Sequence, residues 1–118
     1  MAASDEKRQA QRIQPFVAPC RFVLGEERFP GFLTDISVEG ARVRTEVEPP
    51  PVGTALAVEA RFGRQVTHLP FPATVRWARP VSRGGFVFGV SFERVGTEEQ
   101  KVLDSVVAEF QRRAASIS

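Results

Sequence analysis

Two small groups of residues in this chain have types and spacings that could do chemistry. The first is Arg8-x-x-x-Arg12. A guanidinium is a planar fork of N–H donors that fits a phosphate, or the O6/N7 edge of guanine, with two charge-assisted bonds at once. The second is Asp35-x-Ser37-x-x-Gly40. Alone it reads as an ordinary turn, in which Asp and Ser bond nearby backbone amides and Gly takes a positive φ. Two Arg four apart are also common in basic chains, so each group is weak by itself.

The charge balance frames both groups. The net charge is only +2, too small for a general attraction to nucleic acid or anionic membrane. Its make-up is uneven, since fourteen of the sixteen basic residues are Arg and only Lys7 and Lys101 are Lys. A GC-rich genome produces the same bias, so the count carries little information about any one site.

The elements that must position these residues are mostly strands. Residues 1–14 are polar and lack strand alternation, and they read as an arm ahead of a domain spanning 15–115. From Phe16 the pattern has period two, with Phe16, Ala18, Cys20, Phe22 and Leu24 on one face. A turn at Gly25-Glu26-Glu27 leads to a second strand from about Arg28 to Ile36, its first part demoted to an edge or bulge by Pro30. Ala41, Val43, Thr45 and Val47 alternate with Arg42, Arg44, Glu46 and Glu48 in a third. Pro49-Pro50-Pro51-Val52-Gly53 must be a loop. Three further alternating runs are centred on Val58, Val75 and Val90, separated by turns at 63–68 and 80–85. Six short, evenly spaced strands predict a small closed or nearly closed antiparallel barrel.

The end of the chain changes period. Thr97-Glu98-Glu99-Gln100 has the form of a capping box, and Val102, Leu103, Val106, Val107 and Phe110 fall on one stripe. A helix over about 98–113 follows, with Arg112 and Arg113 matching the dipole of its last turn. Its stripe is expected to cover the barrel of the same chain, the alternative being an interface with another chain.

In this order, and ahead of a barrel of this length, the two groups resemble the PilZ domain family, bacterial receptors for cyclic di-GMP. The family pattern is R-x-x-x-R in an N-terminal switch segment, followed by (D/N)-x-S-x-x-G at a strand–turn–strand junction. Val75-Arg76-Trp77, Gly89-Val90-Ser91-Phe92 and the closing helix are also similar, and the resemblance runs from about Lys7 to Arg113. It implies a mainly β fold, a six-stranded antiparallel split barrel with a C-terminal α-helix, and a cyclic di-GMP site built from Arg8, Arg12, Asp35, Ser37 and Gly40. The carboxylate of Asp35 would accept from guanine N1–H and N2–H₂, Ser37 would meet a phosphate or the guanine edge, and Gly40 would let the ligand approach the backbone. Arg42 and Arg76 are further candidates for a phosphate, and Lys7 adjoins the arginine pair. Arg44 reads instead as part of a solvated face with Glu46 and Glu59. Trp77 could stack on a base, but its phase with Phe71, Ala73 and Val75 predicts a core residue. The implied output is an N-terminal arm drawn over the ligand, read by a separate downstream protein or through self-association; family members act in motility, polysaccharide export and gene regulation.

Other classes fit less well. His68 is the single histidine and Cys20 the single cysteine, so neither a metal centre nor an intrachain disulfide is predicted. Ser37, His68 and Asp35 could be drawn as a triad, but no nucleophile elbow surrounds the serine, and no phosphate-binding glycine loop is present. The expectation is a receptor, not an enzyme, with no cofactor. A single-stranded nucleic-acid barrel would need exposed aromatics interleaved with a basic stripe, whereas Phe86, Phe88 and Phe92 alternate in core phase. A PilZ fold acting only as a protein-interaction module is the remaining alternative. The polar start and the absence of a long apolar run predict a cytoplasmic protein without membrane contact.

Overall fold

The computed structural model describes residues 16–62, 65–66, 71–93 and 96–115. The expected arm, with Lys7, Arg8 and Arg12, lies outside the described residues, as does His68.

Among the described residues, seven strands and one helix follow in chain order: β1 Ala18–Leu24, β2 Glu27–Ile36, β3 Gly40–Thr45, β4 Ala55–Phe62, β5 Gln65–Val66, β6 Phe71–Pro80, β7 Phe86–Phe92 and α1 Thr97–Ala115. All pairings are antiparallel, in the order β1-β2-β3-β7-β6-β4, and β1 also pairs with β4 through Cys20↔Ala60 and Phe22↔Val58. That last pairing closes the six longer strands into the expected barrel. The short β5 pairs only with the end of β4, within a stretch that reads as a turn in the sequence. Two residues are too few for alternation to reveal a strand.

Alternation fills the barrel. Ala18, Cys20 and Phe22 of β1 point inward, as do Leu33, Val43, Val58, Phe71, Ala73, Val75, Phe88 and Val90. Phe22 packs edge-on against Phe88 at 5.1 Å between centroids, and Phe71 packs likewise on Phe92 at 5.9 Å. Burying one such ring contributes about 1.5–3 kcal/mol. Burial also pushes the Cys20 thiol up to about 12, because a thiolate has no hydration there. Pro30 sits beyond the β2–β3 ladder, which starts at Phe32↔Arg44, as a proline at a sheet margin should. Its carbonyl accepts a 2.9 Å hydrogen bond from the buried Thr45 hydroxyl.

The helix lays Leu103, Val106, Val107 and Phe110 into this same core, and Phe16 packs edge-on against Phe110 at 5.0 Å. The apolar stripe is therefore covered within the chain. The expected capping box does not form: Gln100 N–H donates to the Gly96 carbonyl at 2.9 Å, and its side-chain amide donates to Asp104 instead. At the other end, Arg113 and Arg112 both bond Glu109 and hold its carboxyl below the usual carboxylate range. Among the described residues no helix is long and apolar enough to cross a membrane.

Candidate functional site: a cleft across four strands

Two bulges shape one face of the barrel. In β2 the register steps from Leu33↔Val43 to Asp35↔Arg42, leaving Thr34 as an extra residue. In β6 it steps from Val75↔Val90 to Trp77↔Gly89, leaving Arg76 as an extra residue. A bulge inserts one residue and so reverses which face the following side chains take. Leu33 and Ile36 both stay buried, and Asp35 is turned to the outside. β3 and β7 run unbroken between the bulged strands, with Arg42↔Gly89 in register. Asp35, Arg42, Gly89 and Trp77 consequently form a single row across four strands, spanning roughly 14 Å at the usual strand spacing.

An open cleft of about 260 Å³ lies along this row, lined by Asp35, Ser37, Gly40, Arg42, Arg76 and Trp77, with Ala41, Gly89 and Val90 beneath. The β2–β3 turn supplies its acidic lip. Ser37 N–H donates to the Gly40 carbonyl at 2.8 Å, and Ser37 Oγ accepts from Glu39 N–H at 3.1 Å. The Glu39 carbonyl accepts from Phe92 N–H at 2.8 Å, which ties the turn to β7. The basic lip comes from Arg42 and Arg76. Arg76 Nε donates to Ser91 Oγ at 2.7 Å. Among the described residues neither Asp35 nor Arg42 has a side-chain hydrogen bond or ion pair, so both remain available to a ligand.

Three expectations change here. Gly40 does not take a positive φ; among the glycines that does occur at Gly25, Gly53, Gly84 and Gly85. The glycine is needed because a Cβ would stand 2.1 Å from the Val90 carbonyl oxygen, so any side chain would push β3 off β7. Trp77 is not a core residue. The β6 bulge turns it outward, where it is half-buried over Gly89 with the Arg79 guanidinium 5.1 Å from the ring centroid. Glu59 pairs with Arg28 at 3.3 Å rather than with Arg44.

The structure brings together Asp35, Ser37, Gly40, Arg42 and Arg76 of the residues singled out in the sequence. It adds Gly89 and Ser91, to which sequence reasoning gave no role in the site. A glycine in the middle of an alternating strand was the available signal for the first; a lone serine on an outward strand position gave none for the second.

Relatives place this architecture. No curated protein matches the chain in sequence. Among solved structures, the PilZ domain with c-di-GMP of YcgR from Escherichia coli is similar at 19% identity and a TM-score of 0.66, over 85% of this chain and 86% of that one. The Bacillus subtilis inhibitor of motility MotI/DgrA aligns at 16% identity and a TM-score of 0.65, over 86% of this chain and 49% of its own. A tetrameric PilZ protein of Xanthomonas campestris, self-assembled via a helical bundle, aligns at 22% identity and a TM-score of 0.58, over 78% and 51%. This chain thus spans about half the length of the latter two, and at these identities the likeness is one of fold. The sequence itself matches the PilZ domain over residues 6–109, and the chain belongs to the PilZ domain family.

Proposed function

We propose that this chain is a receptor for cyclic di-GMP, and that the cleft bounded by Asp35–Gly40, Arg42 and Arg76 is where the messenger sits. The observation that carries the reading is the row that sets a carboxylate beside a guanidinium, neither paired among the described residues, on the outer wall of a PilZ barrel. A related PilZ domain, that of Escherichia coli YcgR, was solved with c-di-GMP. The ligand needs the groups this cleft offers. Its guanine N1–H and N2–H₂ pair with a carboxylate such as Asp35, and its phosphates with guanidinium forks such as Arg42 and Arg76.

On this reading Arg8 and Arg12 close over the bound messenger from the N-terminal side, with Lys7 next to them, and Ser37 and Gly40 meet it at the turn. The site performs no chemistry and needs no cofactor. Closure of residues 1–14 changes the surface beside the cleft, and a separate downstream protein, or a second copy of the chain, reads that change.

Isothermal titration tests the reading. Cyclic di-GMP should bind in preference to GMP, GTP and oligonucleotides. Arg8→Ala and Arg12→Ala should each weaken binding by about 1.5 kcal/mol or more, the scale of a charge-assisted hydrogen bond. Asp35→Ala should also narrow the preference for cyclic di-GMP over cyclic di-AMP. Absence of heat from the unaltered protein at high micromolar ligand would leave a barrel that serves as an interaction module.

A further inference from the structure

The β6 bulge creates a problem that β7 solves. It sends two successive side chains, Arg76 and Trp77, to the outer face, where neither has a place in the core. A long cation and a large indole left free there would sample many rotamers, and ordering them on ligand binding would cost affinity. Two successive outward positions of β7 meet them: Gly89 is in register with Trp77, and Ser91, in register with Thr74, lies within reach of Arg76. Ser91 Oγ accepts from Arg76 Nε at 2.7 Å, which holds the guanidinium by its stem-side nitrogen and leaves both terminal NH₂ groups unengaged among the described residues. Gly89 has no side chain, and the indole occupies the vacant space: a Cβ there would stand 2.2 Å from Trp77 Nε1 and 2.4 Å from Trp77 Cε2.

We propose that Gly89 and Ser91 are positioning residues of the cleft, Ser91 presetting Arg76 with its fork toward a ligand phosphate or guanine edge, and Gly89 letting Trp77 lie flat as the cleft wall. This rests on the cyclic di-GMP reading and adds to it a device for preorganisation. Ser91 and Gly89 themselves need touch no ligand atom. Their effect passes through Arg76 and Trp77, so it should vanish when those side chains are removed.

A double-mutant series titrated with cyclic di-GMP decides the Ser91 half. Ser91→Ala should bind roughly tenfold more weakly than the unaltered protein, the scale of one net hydrogen bond. Ser91→Thr, which keeps the hydroxyl, should recover affinity to within about twofold. Arg76→Ala combined with Ser91→Ala should bind no more weakly than Arg76→Ala alone. Unchanged affinity in Ser91→Ala, or additive losses in the double variant, would overturn this half while leaving the receptor reading intact. No binding by the unaltered protein would instead end the receptor reading itself. For Gly89 the probe is the emission of Trp77, the one tryptophan of the chain, read without ligand. Gly89→Ala should shift it to the red as the indole is pushed into water; an unshifted spectrum in the folded variant would overturn that half. If Gly89→Ala does not fold, the Ser91 series still decides the proposal.

Discussion

From Phe71 to Val75, β6 buries every second side chain and is bonded on both margins, to β4 and to β7. From Arg76 to Pro80 the same strand buries none, and its ladder continues only on the β7 side. One inserted residue separates these halves. The first spends its side chains on stability, the second on an accessible surface of Arg76, Trp77 and Arg79. β2 repeats the arrangement at Thr34, turning Asp35 outward while Leu33 and Ile36 stay in the core. A closed barrel thus gains a cleft without surrendering its interior, because the change of duty occurs along a strand and not between strands.

The contrast can be broken by mutation. The largest effect should come from the inner half: Phe71→Ala removes a fully buried ring packed on Phe92 and should cost about 3–5 kcal/mol in urea unfolding. An alkaline titration probes the same interior. The Cys20 pKa is raised on folding from 9.0 to about 12, so its contribution is complete below pH 9 and is lost as pH rises toward 12. Unfolding stability should therefore fall over that window by an amount on the order of a few kcal/mol, and Cys20→Ala should flatten this part of the profile. Gly40→Ala tests the boundary between wall and cleft, since its Cβ would meet backbone and not a mobile side chain. It should lose about 1–3 kcal/mol of stability and weaken cyclic di-GMP binding as well, both read on one preparation. The smallest stability effect belongs to the outer half, where Arg76→Ala should change unfolding by no more than about 0.5 kcal/mol while still lowering affinity. A large stability loss in Arg76→Ala would erase the distinction between the two halves.

Much of this was legible in the sequence because alternation is a local signal. The runs at Ala18–Leu24, Gly40–Thr45 and Phe86–Phe92 carry their own phase, and the Leu103–Phe110 stripe carries its own period. Asp35, Ser37 and Gly40 were legible as a spacing. The bulges were not, since an extra residue shows only against its partner strand. For that reason Trp77 continues the inward phase of Val75 in the sequence yet stands outside in the fold. The reason for Gly40 was hidden similarly: its requirement comes from the Val90 carbonyl, fifty residues away along the chain and adjacent only once β3 and β7 pair. The capping pattern at Thr97 was matched in composition but not in bonding, because Gln100 finds Asp104 one turn on.

Because β1 bonds both β2 and β4, the ring leaves few backbone groups for a foreign strand to add to, which is a common route to aggregation. Among the described strands, the margins of β2 before Phe32 and of β6 past Val75 are the long exceptions, and the second borders the cleft. This second margin carries an irregular residue at Arg76, a charge at Arg79 and an imino acid at Pro80, three features that each obstruct strand addition. The segment that exposes the cleft is thereby also its own guard against sticking to neighbouring molecules.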